Sequence, residues 1–295
     1  MRRLLLIAML CTVYGAGQGP VSGAPNYLGQ AMEFKKKNNF KAAFELFDKE
    51  IALHPKNAQA YLERGVLHRD LKHDKECLRD LNKAIEIDPN FASAYDSRAW
   101  FYDERDEFEK ACADYRVCLK LNPKNSFAGC CLADNLGQMG KTKEALAVVE
   151  QVLKYNPNDG HAHRQRACFL EPTKENLPRR ISDLTFAINS KTSKYEMLYA
   201  LRAEDYKRLK DWASAIKDYD VMIARNPTDE DSYFLRGDCY EKLGKYDKAL
   251  ADYSKAIENA METPDAYFKA RARCYEKLGR KAEAQADLKA AQKNR

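Results

Sequence analysis

Residues that break regular structure are scarce in this sequence, which has only 13 glycines and 10 prolines among 295 residues. That scarcity favours helices. A long apolar run is missing too, because the longest, Leu4 to Val13, falls short of the roughly 20 residues that cross a bilayer. Hydrophobic residues make up 45% and charged residues 32% of the chain, which is typical of neither a disordered nor a membrane-spanning protein.

The sequence also lacks a basic block and the motifs of known catalytic sites. Its net charge of +6 is spread along the chain, whereas nucleic-acid-binding proteins usually gather Lys and Arg on one face. There are five histidines, and no zinc-protease, P-loop, dinucleotide-binding or nucleophile-elbow pattern accompanies them. His161 and His163, two residues apart, would point to different sides of a helix. We expect no nucleic-acid partner, no enzymatic activity and no cofactor or metal.

The first residues differ from the rest. Arg2 and Arg3 precede the apolar run Leu4 to Val13, and small and turn-forming residues follow it. This order is typical of a secretory signal peptide, which we place at residues 1–23. We therefore expect an exported protein, periplasmic or secreted, with no membrane span in its mature chain. A buried N-terminal helix is the alternative interpretation.

Eight cysteines follow Cys11, and exported proteins often pair theirs. No metal-type spacing is present. Cys77 and Cys118 stand where other repeats carry Ala or another small residue. Most of the eight are therefore better read as small buried hydrophobic residues than as disulfides.

A repeat is the main feature of the sequence. Pro55, Pro89, Pro123 and Pro157 are separated by 34 residues each, and Pro227 follows 70 residues later. This period divides the chain into eight units, at 24–57, 58–91, 92–125, 126–159, 160–195, 196–229, 230–264 and 265–295.

Each unit predicts two antiparallel helices. Apolar and small residues recur at helical spacing in two blocks, and proline ends the second. Polar residues at the start of the first block are the expected helix N-caps: Asn57, Asn90, Asn125, Asp159 and Asp229. Small residues such as Gly65 and Gly237 would let the two helices approach closely. Since one hairpin cannot bury its apolar face alone, neighbouring hairpins must stack.

The units resemble tetratricopeptide repeats over about 270 residues. Unit 230–264 matches that pattern at Tyr233, Gly237, Tyr240, Ala249, Tyr253 and Ala256, and unit 58–91 at Tyr61, Gly65, Cys77, Leu81, Ala84 and Pro89. The resemblance implies an all-α fold, a right-handed α-solenoid of about eight hairpins. It also implies a concave groove lined by the first helices, protein or peptide binding, and no intrinsic catalysis.

One unit departs from this pattern. In 160–195, Pro172 and Pro178 should end the first helix near Leu170 and delay the second to about Arg179. We expect repeats one to four at 24–159, a degenerate repeat at 160–195, and repeats six to eight at 196–295. The interruption in 160–195 would either bend the array or be a harmless insertion. This unit is also the one candidate location for an active site within the array.

Six units carry an Arg on the first helix and an Asp on the second, 16 or 17 residues apart. Residues equally far from a hairpin turn lie at the same level, so we predict structural salt bridges within each unit. The alternative, that these arginines bind carboxylates of a ligand, is less favoured. The pairs are Arg64/Asp80, Arg98/Asp114, Arg166/Asp183, Arg202/Asp218, Arg236/Asp252 and Arg271/Asp287. Two units lack both partners, with Gln30 and Leu46 in one and Leu132 and Val148 in the other.

Groove positions should be apolar in the N-terminal half, at Leu28, Met32, Leu62, Val66, Trp100 and Phe127. The C-terminal equivalents are charged: Glu204, Lys207, Arg208, Asp238, Glu241, Lys242, Arg273 and Glu276. Trp100 and Phe127 are candidate anchors for a ligand, or they complete packing between helices. The Lys and Asn arrangement by which some relatives hold acidic chaperone tails is absent. These features predict a non-catalytic scaffold for a protein or peptide. The alternative is a structural or self-associating subunit of an envelope or secretion assembly, such as a homo-oligomer.

Overall fold

The computed structural model describes residues 26–190, 197–262 and 264–293. Sixteen helices and no strand occur in these ranges. The helices pair in chain order into eight hairpins, as the repeat predicts. The predicted signal peptide, residues 1–23, lies outside the described residues, as does the end of the fifth unit.

The first four hairpins are formed by α1 (Tyr27–Lys36) and α2 (Phe40–Leu53), α3 (Ala58–Asp70) and α4 (Asp74–Ile87), α5 (Ala92–Asp103) and α6 (Phe108–Leu121), and α7 (Ser126–Gln138) and α8 (Thr142–Tyr155). The last four are α9 (Gly160–Phe169) and α10 (Leu177–Asn189), α11 (Met197–Arg208) and α12 (Trp212–Arg225), α13 (Glu230–Lys242) and α14 (Tyr246–Asn259), and α15 (Asp265–Lys277) and α16 (Lys281–Lys293).

The chain divides into two compact units, with the boundary inside α5 between Arg98 and Ala99. In the first unit, α1 packs on α2, α2 on α3, and α3 on α4. Phe47 and Leu67 are fully buried in its core, with Leu28 and Met32 packed against them. In the second unit the same pattern of packing continues from α6 to α16.

Helix ends follow the local sequence. Asn57, Asn125 and Asp159 cap α3, α7 and α9 by accepting hydrogen bonds from backbone N–H groups, as predicted. Asp229 precedes α13 but accepts instead from the Ser232 hydroxyl. The expectation for Asn90 was wrong, because α5 begins at Ala92, two residues later.

Close approach within a hairpin depends on the small residues. A Cβ on Gly237 of α13 would lie 2.8 Å from the Tyr253 ring of α14. At Gly65 the nearest atoms would be those of Leu81, at 3.2 Å. Any larger side chain at Gly237 would push the helices apart or move Tyr253 from the core, where it is fully buried.

The fifth hairpin is interrupted as expected, but its second helix begins earlier than predicted. α9 ends at Phe169, and α10 starts at Leu177 rather than near Arg179. Pro178 occupies the first turn of α10, where its missing N–H would have no partner within the helix. Proline therefore starts this helix instead of delaying it.

Candidate binding groove

The structure brings together five of the six predicted Arg and Asp pairs. In each, Nε and Nη2 of the guanidinium donate to the two carboxylate oxygens at 2.6–2.9 Å. Two parallel charge-assisted hydrogen bonds fix the guanidinium in one orientation. The five pairs are Arg64 with Asp80, Arg166 with Asp183, Arg202 with Asp218, Arg236 with Asp252, and Arg271 with Asp287. The sixth pair, Arg98 with Asp114, would join the two compact units and stays a prediction.

The paired aspartates are more deeply buried than a salt bridge on a helix surface would be. None is more than 5% exposed. The exposures are 1% at Asp80, 1% at Asp183, 2% at Asp218, 5% at Asp252 and 5% at Asp287. Sequence spacing predicted the partner of each carboxylate but not how deeply the carboxylate is buried.

The remaining nitrogen of each arginine reaches the preceding hairpin, which sequence reasoning did not foresee. Nη1 donates to a residue on the second helix of that hairpin at 2.6–3.1 Å. On that helix the acceptor lies two residues after the paired aspartate, or after the residue that takes the aspartate's place in the repeat. The acceptors are Asp48, Asn82, Glu150, Thr185, Asp220 and Ser254. We call the Arg, its Asp and this acceptor the arginine brace. Each brace joins two helices of one hairpin and the hairpin before it.

The Tyr-x-x-Arg motif belongs to the same arrangement. The guanidinium carbon of Arg236 lies 5.6 Å from the Tyr233 ring centroid, and Arg202 lies 5.7 Å from that of Tyr199. Hydrogen bonds to Asp252, which outweigh the effect of burial, raise the pKa of Arg236. These charges are fully engaged with one another, so the arginines are not available to bind ligand carboxylates.

The fifth hairpin replaces that tyrosine with His163. Its Nδ1 lies 2.7 Å from Asp183 Oδ1 and its Nε2 lies 2.8 Å from the Pro157 carbonyl oxygen. The ring stacks on Phe186 at 4.1 Å. His163 therefore acts within the brace of Arg166 and Asp183, and His161, two residues before it, lines an open cleft of about 820 Å³.

A buried ion pair secures the interrupted hairpin, and sequence reasoning missed it. Arg180 of α10 donates from Nε to Asp205 of α11 at 2.9 Å, and from Nη1 to the carbonyl oxygens of Ala167 and Leu170 at the end of α9. Arg180 and Asp205 are only 7% and 1% exposed. Asp205 stands at the repeat position that Cys239 and other buried apolar residues occupy in other units. An acidic residue at a buried apolar position was therefore the sequence signal that could have indicated an ion pair.

In the first compact unit the predicted apolar groove positions are largely occupied by packing. Leu62 is 5% exposed, and Leu28, Met32 and Val66 are half-buried. Charge is present here too, since Lys35 donates to Glu63 at 3.3 Å across neighbouring first helices. Packing therefore takes up much of this part of the predicted groove, while Leu28, Met32 and Val66 keep part of their surface exposed.

The second unit places the two aromatic candidates together. Trp100 and Phe127, from the first helices of consecutive hairpins, are half-buried with ring centroids 5.7 Å apart. Along the same series of first helices, Asp134 and Arg164 approach to 4.0 Å with 54% and 23% exposure. Because Asp134 lies two turns after Phe127 on α7, the aromatic pair and the charged pair share this series of first helices.

The charged positions further along are mostly paired with one another. Arg273 donates twice to Glu241, at 3.0 and 2.9 Å, and Tyr253 donates to the same carboxylate at 2.8 Å. Burial opposes ionisation of Glu241, but these hydrogen bonds prevail and lower its pKa. Glu204 pairs with Lys207 at 3.3 Å and with Arg208 at 3.7 Å. Asp238 is half-buried, and Lys242 and Glu276 are exposed.

Asp96 of α5 is the carboxylate whose pKa is displaced most clearly. Its Oδ1 is buried without a hydrogen-bond partner among the described residues. Burial raises its pKa to about 6, against the opposing charge of Arg69. Nothing in its sequence context marked Asp96, because the shift depends on what packs around it.

Several other features bear on the kind of site. Within the described ranges no group of three or more His, Cys, Asp or Glu side chains could hold a metal ion. None of the helices found there is long and apolar enough to cross a bilayer. Cys77, Cys112, Cys118, Cys239 and Cys274 are buried, in agreement with their interpretation as small core residues.

Comparisons with known proteins agree with the hairpin geometry. Three models of the tetratricopeptide repeat match the sequence, at residues 230–260, at 81–113, and at 58–91 and 132–159. No curated protein sequence matches the chain significantly.

Solved structures share the fold. A tetratricopeptide repeat protein from Parabacteroides merdae ATCC 43184 is 22% identical, with a TM-score of 0.52, and the match covers 84% of this chain and 97% of that one. PilW, described as a type IV pilus biogenesis factor, is 18% identical, with a TM-score of 0.53 and coverage of 68% and 92%. MamA from Desulfovibrio magneticus RS-1 is 15% identical, with a TM-score of 0.50 and coverage of 57% and 94%. The chain therefore contains tetratricopeptide repeats, within an all-helical solenoid of hairpins of that type.

Proposed function

We propose that this protein is a non-catalytic scaffold that binds a peptide segment of another protein along the first helices of hairpins three to five. The observation that carries the proposal is the half-buried pair Trp100 and Phe127, with the charges of Asp134 and Arg164 further along the same series of first helices. Large aromatic side chains provide most of the binding energy in many interfaces. Opposite charges next to them would fix the orientation of the peptide.

The difference between charged side chains that are paired within the fold and those that are exposed supports this location. The arginine braces hold their charges inside the array, and Glu241 is held by Arg273 and Tyr253. The pair Asp134 and Arg164 has a longer separation, and the Asp134 side chain is 54% exposed, so this carboxylate can turn toward a ligand. A peptide with an apolar anchor flanked by charged residues fits this surface.

The test is selection of peptides from a displayed library on the full chain, followed by affinity measurement for the enriched sequences. The double variant Trp100→Ala and Phe127→Ala should weaken binding at least tenfold, since hot-spot truncations cost on the order of 2 kcal/mol each. Tyr155→Ala is the matched control, because that aromatic residue is 44% exposed at the end of a second helix. Equal binding by the double variant would place the site elsewhere.

Sedimentation velocity at several concentrations separates this scaffold from a self-associating subunit of an envelope or secretion assembly. A size that does not change with concentration supports the scaffold, whereas concentration-dependent growth supports the subunit.

Action outside the cytoplasm belongs to the same proposal. The arginines at positions 2 and 3, the apolar run that follows and the small residues after it support export. Fractionation of cells that produce the full chain, with sequencing of the mature N-terminus, tests it. Cleavage close to residue 23 is the expected result, and an intact chain in the cytoplasm would contradict export.

A further inference from the structure

The turns of the last three hairpins each expose one leucine. Leu209, Leu243 and Leu278 follow the last residues of α11, α13 and α15, and they are 39%, 39% and 37% exposed. They occupy the same repeat position. Five other large apolar side chains among the described residues are at least as exposed, but they occupy other repeat positions: Leu53, Tyr155, Met197, Met261 and Leu288.

The three turns share one edge of the second compact unit. Each hairpin is antiparallel, and successive hairpins pack directly, α12 on α13 and α14 on α15. The turns also share one backbone conformation, because the residue after each leucine adopts a left-handed φ: 60° at Lys210, 69° at Gly244 and 75° at Gly279. The three leucines therefore follow one another along this edge.

Basic residues outnumber acidic ones around each of these leucines. From two residues before the leucine to five after it, each turn holds three basic residues against one or two acidic ones, and most of these side chains are exposed. The basic residues are Lys207, Arg208 and Lys210 in the first turn, Lys242, Lys245 and Lys248 in the second, and Lys277, Arg280 and Lys281 in the third. We call residues 207–211, 242–248 and 277–283 together the basic turn edge.

The third hairpin shows that the turn itself does not require this composition. Its turn has the same left-handed residue, at Asp106 with φ 57°. Arg105 stands in the place of the exposed leucine, and Glu107 occupies the N-cap position that Lys245 has in α14. The same backbone conformation is therefore built with acidic residues and without an apolar side chain.

We propose that the basic turn edge docks this protein on an anionic lipid surface. Exposed leucines at turn tips can enter the boundary between headgroups and acyl chains, while Lys and Arg pair with lipid phosphates. Trp212 and Tyr246, half-buried at the starts of α12 and α14, add amphipathic rings beside two of the leucines. The edge lies in hairpins six to eight and the proposed peptide site in hairpins three to five, so a peptide could be bound while the edge contacts lipid.

The experiment is co-sedimentation of the full chain with vesicles of phosphatidylcholine alone or of phosphatidylcholine and phosphatidylglycerol. The first variant replaces three basic residues by acidic ones found in the turn of the third hairpin: Lys210→Asp, Lys245→Glu and Arg280→Glu. Each surface-bound basic residue contributes about a fivefold increase in partitioning. We expect the triple variant to lose on the order of 100-fold in binding to the anionic vesicles.

A control variant carries the same change in net charge on the opposite edge. Lys120→Glu, Lys124→Glu and Lys154→Glu alter exposed residues near the ends of second helices in the same compact unit. It should bind anionic vesicles within about threefold of the unaltered protein, since charges beyond a Debye length are largely screened. Both variants keep the apolar run Leu4 to Val13, so their difference isolates the edge from any lipid binding by that run.

A second variant, Leu209→Ser, Leu243→Ser and Leu278→Ser, keeps the charge and removes the apolar contacts. It should bind anionic vesicles at least tenfold more weakly. Equal binding to neutral and anionic vesicles by the unaltered protein would overturn the proposal, as would equal losses in the edge and control variants. Binding of an acidic oligonucleotide through the same residues without vesicle binding would show that the edge serves a different anionic partner.

Discussion

The fourth and seventh hairpins have the same backbone plan, yet they are joined to their neighbours by different means. In the seventh, Arg236 lies between Asp252 of its own hairpin and Asp220 of the one before. In the fourth, the corresponding positions hold Leu132 and Val148, and the acceptor position on the preceding hairpin holds Arg116. Arg116 instead pairs with Glu144.

This difference explains why the brace is lost as a unit. An arginine at position 132 would meet the positive charge of Arg116 where other braces have an acceptor. Without an arginine at 132, an aspartate at 148 would have no partner. Leu132, only 2% exposed, restores an apolar contact. An array can therefore join hairpins by either a complete brace or a complete apolar replacement, while an incomplete brace leaves a buried charge.

The largest effect is expected when half of a brace is removed. Asp252→Ala leaves the guanidinium of Arg236, whose side chain is 18% exposed, without its two-bond partner. Breaking a largely buried pair in this way should lower the free energy of unfolding by about 3 kcal/mol. Urea denaturation measures the change.

The matched control converts the seventh hairpin to the pattern of the fourth, with Arg236→Leu and Asp252→Val together. The double variant should lie within about 1 kcal/mol of the unaltered protein, because it leaves no buried unpaired charge: Asp220, which loses its partner, is 50% exposed. Were the double variant as unstable as Asp252→Ala alone, the two ways of joining hairpins would not be equivalent.

A smaller effect should follow when the acceptor is made to resemble Arg116. Asp220→Arg places a second positive charge next to Arg236, losing one ion pair and adding repulsion. Because Asp220 is 50% exposed, we expect a loss of about 1.5 kcal/mol at low salt that shrinks as salt is added. Asp220→Ala should lose only about 0.5 kcal/mol. Equal losses in the two variants would remove the explanation given for the fourth hairpin.

The smallest effect concerns a carboxylate that no brace holds. The raised pKa of Asp96, about 6, means that the folded protein keeps this proton more tightly than the unfolded chain does. Ionisation of Asp96 therefore lowers stability as pH rises from about 4 to about 6, and the full loss persists above that range.

Asp96→Asn removes this pH dependence. At pH 7.5 the variant should be more stable than the unaltered protein by roughly 1 kcal/mol, and at pH 4 the difference should nearly vanish. Urea midpoints at the two pH values give the comparison. A variant that is less stable than the unaltered protein at pH 7.5 would show that the ionised carboxylate has a stabilising partner.

Much of the architecture could be predicted from local rules. The period of 34 residues, set by proline and by small and aromatic residues at fixed positions, gives eight hairpins and most of their boundaries. Pairing of Arg with Asp followed from equal distances to the turn. The start of α10 was misjudged because proline at a helix beginning and proline that interrupts a helix look the same in the sequence.

The candidate groove could be predicted only in part. Leu28, Met32 and Leu62 have the right repeat position for a groove, but packing against the core takes up most of their surface. Exposure depends on how neighbouring helices cross, which the sequence of one repeat does not specify. Trp100 and Phe127 pack against each other, which the sequence of one repeat also does not specify.

The sequence by itself determined that this chain forms paired helices with internal Arg and Asp partners, because both follow from periodicity along a single chain. Only the tertiary structure decided where the third nitrogen of each arginine binds, how Arg180 secures the interrupted hairpin to Asp205, and why the pKa of Asp96 is raised. Those outcomes depend on atoms from separate helices meeting at distances of a few ångströms, and side-chain hydrogen bonds and desolvation act only over such distances.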